Sequence, residues 1–159
     1  MQKQYQTIPA SSASERLKFL QDHYAASPDG AVRERVFLLL NEVKVPSKAK
    51  IPLILQGLSD PSSRVFVAAM NAGNVIVENP DVSPSLREAL GTVLSTVPWT
   101  ETYRVKVGES PVMVPMPDGN GGFYYITQYQ DDYETRTEQH GDAKAYPEAR
   151  KNLEKLLEQ

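Results

Sequence analysis

Residues 51–78 read IPLILQGLSDPSSRVFVAAMNAGNVIVE, and this stretch decides the fold. Ile51 to Leu58 is a short apolar run with the makings of a helix. Pro52 is tolerable there only near the first turn or at a kinked start, because its ring removes an interior donor. Ser59-Asp60-Pro61 then breaks the run, since a proline biases its predecessor away from helical angles. From Val65 to Val77 a second helix is expected. Ala68, Ala69, Ala72 and Gly73 let a neighbour approach closely, while Val67, Met70 and Ile76 fill space. Two such apolar helices joined by a tight corner predict a helical hairpin that needs neighbours on both sides, with the second helix central.

Toward the N-terminus the same design recurs. Asp29 stands four residues before Arg33 as Asp60 does before Arg64, and the two steps are 31 residues apart (60 minus 29). That period belongs to stacked units that cannot bury their apolar faces alone. Ser12 and Glu15 have the spacing of a capping box, and Leu17, Leu20 and Tyr24 follow on one helical face with Phe19 beside them. Ser27-Pro28-Asp29-Gly30 ends that helix. Val36, Phe37, Leu38, Leu39 and Leu40 then form an apolar run too wide for an exposed helix, expected as an inner layer. Pro46-Ser47 marks the next break. Toward the C-terminus, Asn79-Pro80-Asp81 closes the central helix, and Ser83-Pro84 supplies a cap and an N-terminal proline for a helix lined by Leu86, Leu90, Val93 and Leu94. This third unit is imperfect: Arg87 follows Arg64 by 23 residues (87 minus 64), and its step begins at Ser83 in place of an aspartate.

Ile51 to Glu78 thus resembles a HEAT-type repeat, with its short helix, Leu58-Ser59-Asp60-Pro61 corner, Arg64 and Ala-rich second helix. Ser14 to Val43 is similar to a weaker copy, and the resemblance covers roughly residues 14–97. It implies an inter-repeat ladder built by Asp29, Arg33, Asp60 and Arg64, and a role in binding macromolecules without naming one. Val32 before Arg33 fits the family pattern, whereas Ser63 before Arg64 departs from it.

From Trp99 the periodicity changes from helical to alternating. Tyr103 to Val107, Val112 to Met116 and Phe123 to Tyr129 read as strands, with Pro117 to Gly122 a loose six-residue hairpin loop. The acidic stretch Asp131 to Asp142 reads as loop, and Pro147 to Leu157 as a closing amphipathic helix with Leu153, Leu156 and Leu157 inward. The expected architecture is mainly α: a short right-handed stack of antiparallel helical hairpins with a small C-terminal antiparallel β appendage. Its parts are a flexible arm over residues 1–13, the repeats over residues 14–98, and the appendage with its helix over residues 99–159, packed on the repeats.

Composition excludes more than it assigns. Before Pro98 there are 10 basic and 9 acidic residues, after it 7 and 11, so neither half has the cationic excess of a nucleic-acid footprint. A nucleic-acid module would have to rely on Arg33, Arg35, Lys44, Lys48 and Lys50. The chain has no cysteine, which removes disulfides, thiolate zinc sites and cysteine nucleophiles. No run approaches the roughly 18 apolar residues of a membrane span, and the first residues lack a secretory apolar stretch, so a cytoplasmic, soluble protein is expected. Neither His23 nor His140 stands in a metal or triad motif, Asp131, Asp132, Glu134, Glu138, His140 and Asp142 lack calcium-loop spacing, and no phosphate loop is present. No enzyme activity, cofactor or metal is expected. An enzyme would need a pocket gathering His23, His140 or the acidic cluster.

The expected function is a non-catalytic protein-interaction module: an adaptor, a regulatory subunit or an inhibitor of the immunity type. Asn71, Asn74 and Glu78 form a polar stripe on the central helix, and Asn41 lies at the end of the second helix of the preceding unit; a solvated face is the preferred reading and a partner surface the alternative. Arg64 is either a ladder residue or shared with a ligand. Phe123, Tyr125 and Tyr129 share one strand face, with Tyr124 and Ile126 opposite; packing on the helices is the preferred expectation for them, and anchoring a partner the alternative. Trp99 is expected as a wedge at the junction. An exposed tyrosine strand edge could also pair with its own copy in a symmetric dimer.

Overall fold

The computed structural model describes residues 12–159; most of the arm expected over residues 1–13 lies outside the described residues. Among them are six helices and two strands: α1 (Ala13–Ala26), α2 (Gly30–Leu40), α3 (Ser47–Leu58), α4 (Ser63–Glu78), α5 (Pro84–Thr96), β1 (Trp99–Pro117), β2 (Phe123–His140) and α6 (Tyr146–Leu157). None of the helices is long and apolar enough to cross a membrane.

The chain divides into two compact units: the helices up to Val97 together with Gly141–Gln159, and the excursion Pro98–His140. The closing helix therefore groups with the helices and not, as the sequence boundary at Trp99 had it, with the strands. Within the helical unit α1 packs on α2, α3 on α4 and α5 on α6, while α4 also packs on α2 and α5. This makes α4 the central helix, as its Ala-rich composition implies.

Local chemistry sets the helix starts. The Ser12 and Ser83 hydroxyls and the Asp29 carboxylate accept from backbone amides of Glu15, Leu86 and Ala31. α3 begins a turn earlier than the apolar run suggests, with Pro52 inside it. Its cap comes from far along the chain: Asp81 accepts from the Ser47 amide at 3.0 Å and hydroxyl at 2.7 Å. The core runs through all six helices, with Phe37, Leu40, Ile54, Val65, Leu90 and Leu153 essentially inaccessible, and with Leu39 and Ala68 buried. Each such side chain contributes about 1.5–3 kcal/mol by leaving water. Gly57 lets α3 lie close against its neighbours: a Cβ there would strike the Phe37 ring, and Ala69 Cβ at 2.6 Å.

The third helical pair is interrupted by the strands. The chain leaves α5 at Val97 and returns at Gly141, where the Asp142 amide donates to the Thr96 carbonyl at 2.8 Å. Gly141 has a φ of +83°, and a Cβ would collide with the Val97 carbonyl, so the neck admits only glycine without strain.

The excursion is one antiparallel hairpin, pairing Trp99 with His140 at its base and Pro117 with Phe123 at its tip, with a register shift between Lys106 and Gly108. Two long strands replace the three short ones expected. The acidic stretch is strand up to His140 and not loop, because its charges find cross-strand partners and alternate with β-favouring Tyr133, Thr135 and Thr137. Lys106 Nζ holds Asp131 at 2.9 Å and Glu109 at 2.8 Å, Ser110 donates to Asp132, and Tyr103 donates to Glu138 at 3.0 Å. The tip is tighter than its composition suggests, since the Asp118 carboxylate accepts from the amides of Asn120 at 2.7 Å and Gly122 at 3.1 Å.

Candidate binding surfaces

The paired Asp and Arg steps resolve into three different roles. Asp29 caps α2. Arg33 reaches across to the next pair and grips Asp60 with both fork nitrogens, Nε to Oδ2 at 2.8 Å and Nη2 to Oδ1 at 3.0 Å, while Nη1 donates to the Ser27 carbonyl at 3.1 Å. Asp60 accepts further bonds from the Tyr24 hydroxyl at 2.8 Å and the Ser62 amide at 2.9 Å. Its side chain is only 3% exposed. Burial alone would raise the Asp60 carboxyl, but the hydrogen bonds from Arg33, Ser62 and Tyr24 outweigh it and hold the pKa below the ordinary carboxylate value. Burial, and then the Asp60 carboxylate, push the Tyr24 phenol far up. This node joins α1, α2 and the α3–α4 corner, and its donors are spent internally.

Arg64 does not continue the ladder. It is largely exposed and pairs with Glu34 of α2 at 2.8 Å. Between α2 and α4 lies an open groove of about 310 Å³ lined by Glu34, Leu38, Ser63, Arg64, Val67, Ala68 and Asn71. Leu38 and Val67, 50% and 51% exposed, form its apolar floor. Arg64 and Asn71 are thus brought together in one groove, and Asn74 and Glu78 continue along the exposed face of α4 beyond it. The sequence assigns Leu38 to an inner layer and Val67 to filling space, but both are half-exposed here, and Glu34 joins them in the groove without having been singled out. The signal was present: in a run of five apolar residues at 100° per residue, one must point away from any single neighbour, and in α2 it is Leu38.

On the hairpin, residues opposite each other share a face. One face carries Phe123, Tyr125, Thr127 and Tyr129 on β2, opposite Pro117, Pro115, Met113 and Pro111 on β1. Phe123, Tyr125 and Tyr129 are 67%, 62% and 69% exposed. Burial, the outcome sequence reading preferred for these rings, is therefore not what the structure shows. The opposite face, with Val114, Met116 and Ile126, is the less exposed one. Exposure follows from the pairing itself, because a two-stranded ladder brings no second layer of its own to cover either face.

At the hairpin base, Trp99 stacks on His140 with centroids 4.2 Å apart. His140 Nε2 lies 3.2 Å from a Glu101 carboxylate oxygen and 3.7 Å from one of Glu138. The ligating atoms of Glu101, Glu138 and His140 fall within 4.8 Å of one another, so these are the residues that could hold a cation among those described. His23, in α1, is instead tied to the Phe19 carbonyl at 2.8 Å. Of the cations named for nucleic acid, Arg33 is engaged by Asp60, and burial lowers Lys50 against the opposing pull of Asp81.

No family model matches the chain, and no curated protein or solved structure matches it either.

Proposed function

We propose that the chain is a non-catalytic protein-binding module: a short HEAT-like helical repeat whose third unit is split by a binding hairpin. Support for the repeat comes from the pairing of α1 with α2, α3 with α4 and α5 with α6, and from the Arg33–Asp60 bridge between successive pairs.

The observation that carries the reading is the exposed row Phe123, Tyr125 and Tyr129 on one face of the hairpin. Rigid aromatic side chains lose little entropy on contact and bury large areas, which is why they dominate protein interfaces. The groove between α2 and α4 offers a second surface. Its Leu38 and Val67 floor would take an apolar side chain, with Arg64, Asn71, Asn74 and Glu78 giving polar contacts around and beyond it.

Base stacking is the less favoured use of the rings. The excursion carries Arg104, Lys106 and Arg136 against Glu101, Glu109, Asp118, Asp131, Asp132, Glu134 and Glu138, so the charge needed to neutralise phosphates is missing.

A photo-crosslinking residue placed at Tyr125, at Val67 and, as a control, at Lys155 tests this in the native cell. Protease-sensitive adducts of one defined mass at the first two positions are expected. Labelling at Tyr125 and Val67 no stronger than at Lys155 would reject the module, and nuclease-sensitive adducts would reassign it to nucleic acid.

A further inference from the structure

Successive residues of an antiparallel strand turn their N–H and C=O groups alternately toward the paired strand and away from it. Proline has no N–H, so inside a ladder it belongs where its nitrogen faces outward. Pro111, Pro115 and Pro117 share one parity on β1, with Met113 between them, and their register partners are Tyr129, Tyr125, Phe123 and, for Met113, Thr127. The outer edge of β1 therefore offers a single N–H, that of Met113, over four outward positions. The outer edge of β2 offers all four, at Phe123, Tyr125, Thr127 and Tyr129. One edge of the arm is closed by prolines and the other is open.

The open edge also has the composition of a pairing strand. Phe123 to Gln130 contains no charge, no proline and no glycine, and is rich in aromatic and β-branched residues. An edge of this kind is a template for another strand unless it is covered.

We propose that the outer edge of β2 pairs with the same edge of a second copy, antiparallel, about a twofold axis at Ile126. The result is a four-stranded sheet in the order β1, β2, β2, β1. In this register Phe123 faces Tyr129 of the second copy, Tyr125 faces Thr127, and Ile126 faces Ile126. The four outward residues of each copy then all donate and accept. Two features select a second copy. Charge fixes the register: moving the axis toward the base sets Asp131 and then Asp132 against the aromatic segment and finally against each other, where like charges repel. Moving it toward the tip shortens the ladder. Closure fixes the number: each outer strand of the four is a proline-blocked β1, so addition stops at two copies and no fibre grows. The pairing uses the strand edge, whereas the proposed partner surface is the strand face, so either can fail alone. Pairing would set the two aromatic faces side by side.

Light scattering and cysteine trapping test the arrangement on the full chain. The wild type is expected at twice 17.7 kDa. Thr127→Pro removes an outward N–H without touching the β1 ladder and should halve the mass, whereas Thr127→Val should not. The chain has no cysteine of its own, so Ile126→Cys reports only this contact. Facing non-hydrogen-bonded Cα atoms lie about 4.5 Å apart, within disulfide reach. Mild oxidation should give a covalent dimer from Ile126→Cys and far less from Gln128→Cys, whose facing residue is Tyr124. Tyr125→Ala should keep the dimer mass while losing partner adducts, which separates this contact from the proposed function. A wild type at monomer mass overturns the proposal, as does a Thr127→Pro dimer or equal cross-linking at the two cysteine positions.

Discussion

The helical unit and the hairpin place their apolar residues in opposite environments. Phe37, Leu40, Ile54 and Val65 are sealed inside the helices, while Phe123, Tyr125 and Tyr129 stand in water on the hairpin. In the helical unit hydrophobicity is spent on folding. In the hairpin, backbone pairing and side-chain bridges such as Lys106 to Asp131 set the shape, and the apolar residues are left over for contact. The same residue types are thus buried in one region and exposed in the other, which on the proposed function would serve a partner.

The sharpest way to break this contrast is a cavity. Leu53→Ala, at a position essentially without exposure, should lower stability by about 2–5 kcal/mol in thermal or denaturant unfolding followed by helical circular dichroism. A change below about 1 kcal/mol would mean that the helices are not held by a shared core.

A smaller loss is expected from Asp60→Asn, which removes the charge that Arg33 grips. The sign in pH follows from the direction of the shift. The Asp60 pKa is lowered in the folded state, so its stabilisation is present above the unfolded carboxylate value of about 3.9 and is lost as pH falls through the folded value. Tyr24 runs the other way: its pKa is raised, so its share is present below the unfolded value of about 10 and is lost at higher pH. The variant should melt lower at neutral pH and show a shallower fall in stability below about pH 4 than the wild type. Parallel acid profiles would show that the bridge does not couple the first two helical pairs.

Much of the helical unit could be read from sequence because its signals are local: the caps Ser12 and Ser83, the proline breaks, and the small residues of α4 each act within a turn. What could not be read depended on partners distant along the chain. Asp81 capping α3 from 34 residues away is one case, and the split of the third helical pair by the hairpin is another. The acidic strand reads as loop in sequence because its charges look solvated until Lys106 and Tyr103 are set across from them. Of the candidate site, the residue types were legible, but the groove was not, since Leu38 looked like core until α4 fixed which side of α2 is covered.

Excising the hairpin should cost less still. The bond from the Asp142 amide to the Thr96 carbonyl already holds the ends of the excursion together. Replacing residues 98–140 by a short glycine-serine turn then changes mainly loop length, worth about 0.6 kcal/mol per doubling. Helical signal and unfolding midpoint should be nearly those of the full chain. Loss of the cooperative transition would show that the helices need the hairpin, and the division of labour between the two regions would fall.

The smallest effect on folding is the most telling about function. Tyr129→Ala removes a ring that is 69% exposed, so unfolding should shift by no more than about 0.5 kcal/mol. Its register partner in the hairpin is Pro111, and the backbone ladder survives the change. If the ring is an interface anchor, the same substitution should sharply reduce partner adducts at a crosslinker placed at Tyr125, because truncating an anchor residue costs about 2 kcal/mol or more of binding, a factor of roughly 30. A residue that matters little to its own fold and much to capture is present for the partner. Should the ring instead prove costly to folding, the aromatic row would be part of the hairpin's own stability, and the groove along α4 would be left as the surface to test.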